Sequence, residues 1–269
     1  MTTVRDLQAM AGDEQITMLT AYDAVTAGIA EGAGVDVILV GDSMGNAVLG
    51  YDDTLPVTVD EMASRVAAVA RGTDETLVVA DMPFLSFGAD EGESVRNCGR
   101  MLKEAGANAV KLESGPHTLS LTERLSDLGI PVMAHLGLTP QSVNQTGYTQ
   151  QANDREEAEQ ILELARAHED AGAFALVVEH VPANLAAQVT EAIDIPTIGI
   201  GAGGDCDGQV LVFTDVVGLA ASSPPFAEQF GDVRSEMHGA ISDYVDAVES
   251  GEFPGDEHAS TSEELDDLY

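Results

Sequence analysis

The residues able to do chemistry fall at the ends of apolar runs. VDVILVGDS (35–43) finishes in Asp42 and Ser43, TLVVADMPF (76–84) carries Asp81, and ANAVKLES (107–114) carries Lys111 and Glu113. IPVMAHLGL (130–138) carries His135, and FALVVEHV (174–181) ends in Glu179 and His180. A carboxylate closing a fully apolar strand needs a reason, because an unpaired buried charge is strongly unfavourable. Asp42, Asp81 and Glu113 are hard oxygen donors from three successive runs, the set that suits Mg2+ with room for a bidentate substrate. Taken singly, each also reads as a loop carboxylate facing solvent. Lys111 and Glu113 lie two apart, so on a strand they point the same way. That pairing suits an anion-binding or enolate-stabilising lysine, or equally a structural ion pair. Glu179, approached by Leu176, Val177 and Val178, reads as a general base or as a salt-bridged strand-end acid. His135 is placed to donate to a substrate oxygen or to serve as a hydrogen-bonded core residue. His180 alternates to the other face and reads as structural. Asp23 precedes the helical stretch AVTAGIAEGAG and reads as an N-cap or as a further mouth acid. The glycine-rich IGIGAGG (198–204) fits neither a P-loop nor a dinucleotide fingerprint in full.

These residues must be positioned by a repeating strand–helix pattern. Eight apolar runs are readable at 16–23, 35–43, 76–84, 107–114, 130–138, 174–181, 195–203 and 209–218. Their unbroken Val, Ile and Leu content is that of parallel strands covered on both faces. In 154–171, Ala158, Ile161, Leu162 and Ala165 recur at helical spacing, as do Met237, Ile241, Tyr244, Val245 and Val248 nearer the end. Gly34, Gly106, Gly129 and Gly172 punctuate helix ends. Eight such units predict an α/β protein, a (β/α)8 TIM barrel over residues 1–253, with a C-terminal helix and an acidic, disordered tail over 254–269. A doubly wound sheet is the main rival. In a barrel the site gathers at the C-terminal strand ends, where all the residues named above lie.

Composition limits the partners. The 269 residues contain 47 acidic and 11 basic side chains, a formal charge of −36, with 44% hydrophobic residues. That is apolar enough for a core, and it offers no basic patch for nucleic acid or an anionic membrane. No apolar run approaches a membrane span, and the start, MTTVRDLQAMAGDEQ, has no signal-peptide core, so a cytoplasmic protein is expected. Cys98 and Cys206 form no CxxC pair. The only lysines are Lys103, in a helical stretch, and Lys111. Acid spread along the whole chain reads as a surface for concentrated salt, where the Debye length falls to about 3 Å at 1 M.

At these residues the chain resembles the 3-methyl-2-oxobutanoate (ketopantoate) hydroxymethyltransferases, of the haloarchaeal type. The resemblance rests on VGDSMGNAVLGYDDTLPVT (40–58), ADMPF (80–84), ANAVKLE (107–113), HLGLTPQSVN (135–144), PTIGIGAG (196–203), DGQVLV (207–212) and VESGEFPGDEH (248–258). It implies transfer of a one-carbon unit from 5,10-methylenetetrahydrofolate to 3-methyl-2-oxobutanoate, giving 2-dehydropantoate for pantothenate and coenzyme A synthesis, through an enolate. It implies Mg2+ held by Asp42 and Asp81, with Glu113 as the third acidic position. Asp42, Ser43, Asp81 and Lys111 match the ketoacid-binding set, His135 a substrate-site histidine, and Glu179 the proton acceptor. A cytoplasmic homodecamer is implied. The chain departs from the family in PPFAEQF (224–230), which has no base, and in the short loop NQTGYTQQAND (144–154). Rival readings are a lyase or mutase of the phosphoenolpyruvate mutase type and a silent ketoacid-binding barrel. No KKCGH-like loop supports the lyase.

The charge makes one prediction independent of function. Self-repulsion unscreened at millimolar salt destabilises the fold, so the melting temperature measured in molar KCl should fall markedly on dilution to millimolar KCl.

Overall fold

The computed structural model describes residues 2–262. Eight parallel strands, β1 (Ile16–Thr20), β2 (Val37–Val40), β3 (Leu77–Asp81), β4 (Ala109–Glu113), β5 (Val132–Gly137), β6 (Ala175–Glu179), β7 (Thr197–Ile200) and β8 (Gly208–Leu211), pair in chain order. β8 pairs back onto β1 and closes a barrel. The helices are α1 (Val4–Met10), α2 (Ala24–Gly32), α3 (Val59–Arg71), α4 (Glu91–Lys103), α5 (Leu119–Asp127), α6 (Val143–Thr146), α7 (Arg155–Asp170), α8 (Ala183–Ala192), α9 (Phe213–Val216) and α10 (Val233–Ser250). The expected barrel is therefore present and the doubly wound sheet is not. Each strand is shorter than its apolar run. The eighth differs most: it stops at Leu211, and the rest of 209–218 turns into α9. No helix joins β7 to β8 among the described residues, and the loop 201–207 makes that return alone.

The acid-rich composition serves the helices directly. Asp23, Asp90 and Asp154 cap α2, α4 and α7, their carboxylates accepting backbone N–H groups of the first turn. Such caps satisfy orphan donors and complement the helix dipole, at about 1 kcal/mol each. Asp23 is thus a cap. Gly34, Gly106, Gly129 and Gly172 all sit at positive φ just past helix ends, where a side chain is strained.

Strand parity builds the interior. Ile16 and Met18, Val37 and Leu39, Leu77 and Val79, Ala109, Met133, Ala175 and Val177, Ile198 and Val210 fill the barrel. The alternate residues, including Ile38, Val40, Val78, Val110 and Leu112, pack outward against helices. On the other side Ala134, Leu136, Leu176 and Val178 do the same. Leu7 of α1 is fully buried in the interior cluster, so α1 plugs the end where the strands begin. Continuing the inward parity one or two steps reaches Thr20, Asp81, Lys111, Glu113, His135 and Glu179.

By contact density the chain divides into two units. The first comprises residues up to Phe213 with Pro224–Ala227, and holds the whole barrel. The second comprises Thr214–Ser223 and the residues from Glu228 on. Within it, α10 buries none of its residues, and its stripe of Met237, Ile241, Tyr244, Val245 and Val248 is exposed. Phe253 sits between the rings of Tyr244 and His258, 5.8 and 5.1 Å away. Of the expected tail, Asp256–His258 forms one 3-10 turn, and residues 263–269 lie outside the described residues.

Gly137 is where the fold is least tolerant near the site. Its φ is +98°, and an added Cβ would collide with the Glu179 carbonyl oxygen. Gly137→Ala should destabilise by at least about 1–3 kcal/mol, read as a lowered melting temperature in molar KCl.

Candidate active site

One cavity of about 100 Å³ at the C-terminal mouth of the barrel is lined by Asp42, Ser43, Asp81, Lys111, Glu113, His135 and Glu179. All seven residues named from the sequence therefore converge. Five arrive by parity: Asp81 is in register with Lys111, Glu113 with His135, and Gly137 with Glu179. Asp42 and Ser43 arrive differently, from the turn after β2. The Asp42 backbone N–H donates to Asp81 Oδ2 at 3.3 Å, which folds that turn over the neighbouring strand end.

A chain of contacts crosses the mouth. Lys111 Nζ lies 2.8 Å from Asp81 Oδ1, an ion pair off the line of an ideal hydrogen bond. The same ammonium is 3.2 Å from His135 Nδ1. An ammonium cannot accept, so Nδ1 is the unprotonated nitrogen and Nε2 carries the hydrogen. His135 Nε2 faces Glu179 Oε2 at 3.2 Å, again off the ideal line. Both ring nitrogens of His135 thus look at protein groups, and the ring is a bridge between Lys111 and Glu179. Glu179 is the more open end, with 16% side-chain exposure against 2% for His135.

Ser43 is held by a second chain. Its Oγ is 3.0 Å from Tyr22 Oη, and Thr20 Oγ1 donates to that phenol at 2.9 Å while accepting the Phe213 N–H. The remaining wall is branched and apolar: Leu39, Val177, Ile200, Val210, Leu211 and Val212. Thr54 also lines the cavity, with its Oγ1 buried and unpartnered among the described residues, as fits a group awaiting a ligand.

The electrostatics are unbalanced. Asp42, Asp81 and Glu113 are all buried, and Lys111 is the only cation lining the cavity among the described residues. Burial, and then repulsion from Asp81, pushes Asp42 up to about 8. Burial, and then Asp42, pushes Glu113 up to about 9. Burial opposes the Lys111 charge, but Asp81, Asp42 and Glu113 outweigh it and push the ammonium up to about 12. Burial and the Lys111 charge hold His135 below its ordinary value, which leaves the ring neutral at neutral pH. Three acids against one ammonium leave an excess of about two negative charges when all are ionised, which one divalent cation would neutralise. Hard oxygens in that number fit Mg2+.

Two residues matter here that the sequence reading did not single out. Gln141, in the loop after β5, donates to both Asp42 and Glu113. Tyr148, in the loop before α7, has its phenol raised by burial and then by the charges of Asp53, Asp42, Glu113 and Glu179. Gln141 was visible inside HLGLTPQSVN but carries no charge to draw notice. Tyr148 lies in a loop that no periodicity positions.

The ketopantoate hydroxymethyltransferase family model matches residues 1–256. The chain belongs to this family. It is 80% identical over its full length, and over the full length of the relative, to the 3-methyl-2-oxobutanoate hydroxymethyltransferase of Haloarcula marismortui. The enzyme of the same name from Streptomyces coelicolor is 51% identical, over 96% of this chain and 89% of its own. Among solved structures, a phosphonopyruvate hydrolase superposes with a TM-score of 0.63 at 14% identity, covering 98% of this chain and 93% of its own. A 2,3-dimethylmalate lyase of the phosphoenolpyruvate mutase/isocitrate lyase superfamily gives 0.58 at 17%, covering 98% and 94%. These structural likenesses establish the barrel. The hydroxymethyltransferase is an enzyme, and no helix among its described residues is long and apolar enough to cross a membrane.

The raised carboxyls of this hydroxymethyltransferase fix a pH dependence. In metal-free protein Asp42 and Glu113 keep protons that the unfolded chain has already lost by about pH 5. The folded state then binds more protons, so stability falls as pH rises toward 8 and 9. His135, shifted the other way, adds stability as pH rises, but that gain is complete above about pH 7. In EDTA and molar KCl the melting temperature should therefore fall between pH 7 and 8.5. Asp42→Asn should flatten that fall.

Proposed function

We propose that this enzyme makes 2-dehydropantoate by placing the one-carbon unit of 5,10-methylenetetrahydrofolate on C3 of 3-methyl-2-oxobutanoate, a step in pantothenate and coenzyme A synthesis. The observation that carries the reading is the cavity itself: three buried acids and one lysine face a half-open Glu179 across a branched apolar wall. The names of the relatives support the substrate. A solved phosphonopyruvate hydrolase was captured with oxalate and Mg++. Oxalate presents two adjacent oxygens, as an α-ketoacid presents its carboxylate and ketone.

In this reading Asp42 and Asp81 hold Mg2+ directly, with Glu113 as the third acid. Bound there, the ion would act as a Lewis acid that polarises the ketone and acidifies C3–H. Glu179 takes the C3 proton, with its carboxylate oriented by the neutral His135 Nε2–H. Lys111 compensates the negative charge left on the substrate oxygens. Ser43, anchored by Tyr22, binds the same polar end. Leu39, Val177 and Val210 shelter the branched carbon end that must become nucleophilic. The new bond joins C3 to the donor carbon, water supplies the hydroxyl, and tetrahydrofolate leaves.

The same reading takes the enzyme as a homodecamer. The exposed apolar stripe on α10 supports association with further copies, and light scattering in molar KCl checks the stoichiometry.

The decisive experiment follows exchange of the C3 hydrogen of 3-methyl-2-oxobutanoate in D2O by NMR, in molar KCl, without folate. Exchange should require Mg2+ and stop with EDTA. Glu179→Gln should slow it at least about 10²-fold, the usual loss for a general base. Folded protein that gives no exchange, even with methylenetetrahydrofolate added, would remove this reading.

A further inference from the structure

Gln141 is almost wholly buried at 8% exposure, yet it touches three strand ends from a fourth. Its backbone N–H is shared between the two carboxylate oxygens of Glu113, at 3.0 and 3.1 Å. Its side-chain Nε2 donates to Asp42 Oδ2 and to the Met82 carbonyl, each at 2.8 Å. The Met82 carbonyl can only accept, so the amide sits with its nitrogen toward it, and both its hydrogens are committed. Thr139–Ser142, a turn whose Pro140 lines the cavity, carries the residue against the two acids.

This arrangement answers a specific difficulty. Asp42 and Glu113 repel one another in a dry site, and Lys111 points its ammonium at Asp81 and His135 instead. The N–H groups of Gln141 donate to both the Asp42 and the Glu113 side chains. They hold the carboxylate oxygens in place without adding a charge that would compete with a cation.

We propose that Gln141 is a positioning residue for metal capture, restraining the Asp42 and Glu113 carboxylates through N–H donors from side chain and backbone. The inference rests on the reading of those two acids as metal carboxylates. Its role is in cation affinity, ahead of any chemistry on the substrate.

The test is Mn2+ binding to EDTA-stripped protein in molar KCl, followed by EPR of the free ion, with no substrate present. Gln141→Met keeps the length and removes the amide, leaving the backbone N–H in place. It should weaken Mn2+ binding about 10–100-fold, as the loss of a ligand's hydrogen-bond partner does. Gln141→Asn keeps the amide one methylene short and should weaken binding in the same direction. It stands in if Gln141→Met lacks a cooperative melting transition. A merely structural residue would lower the melting temperature and leave the Mn2+ affinity alone. Folded variants that bind Mn2+ as tightly as wild type overturn the proposal. Asp42→Asn separates the two layers. If it loses Mn2+ while the Gln141 variants do not, the metal site stands and the positioning role falls. If Asp42→Asn itself binds normally, the metal-site reading falls and takes this inference with it.

Discussion

The structure depends on an imbalance: three carboxylates and one ammonium are buried together where eight strands end. In a medium of low dielectric such a set does not hold itself together, since each added carboxylate raises the cost of ionising the others. What keeps it in place is the rigidity of the barrel beneath it. The strands are hydrogen-bonded into a closed ring, the interior below is filled by aliphatic side chains, and α1 seals the far end. The mouth therefore cannot relax by letting its acids swing apart. A site strained in this way is stabilised by what it binds, which is the usual relation between stability and function in an enzyme.

Parity turns that rigidity into chemistry. In a closed parallel barrel every second residue points inward, and neighbouring strands are staggered by a fixed register. The same rule that sends Val79, Ala109, Met133 and Val177 into the core sends Asp81, Lys111, His135 and Glu179 to the next layer up. Glu179 on β6 and the acid cluster at β2 to β4 therefore line one small cavity. His135, on β5 between them, is neutral and touches both Lys111 and Glu179.

Much of this is legible in the sequence because periodicity and parity are local. The eight apolar runs mark the strands, and the glycines at 34, 106, 129 and 172 mark where helices stop. Once the strands are placed, five of the seven mouth residues follow from counting by two. The remainder is not local. Asp42 lies out of step with Val37 and Leu39, and reaches the cavity only because its turn is pinned to Asp81. Gln141 is an uncharged residue in a loop, and its importance lies in which acceptors it meets across 59 and 99 residues of chain. The apolar run at 209–218 overreads β8, because hydrophobicity alone does not separate a strand from the short helix that follows. The stripe on α10 is plain in the sequence, but periodicity names a face without naming what covers it.

The surface and the site obey opposite electrostatic rules, and lysine usage shows where they part. A chain of charge −36 working on anionic substrates appears self-defeating, yet at about 1 M salt charges on the surface are screened within roughly 3 Å. The buried mouth excludes that screening, so the charges of Lys111 and the three acids act there at close to full strength. Lys103 lies on an exposed helix face, where it is one solvated charge among many. Lys111 occupies a position that arginine fills badly. A planar guanidinium spreads its donors over a rigid fork, whereas the compact ammonium turns three N–H bonds in different directions. Its nitrogen lies 2.8 Å from Asp81 Oδ1 and 3.2 Å from His135 Nδ1 at once.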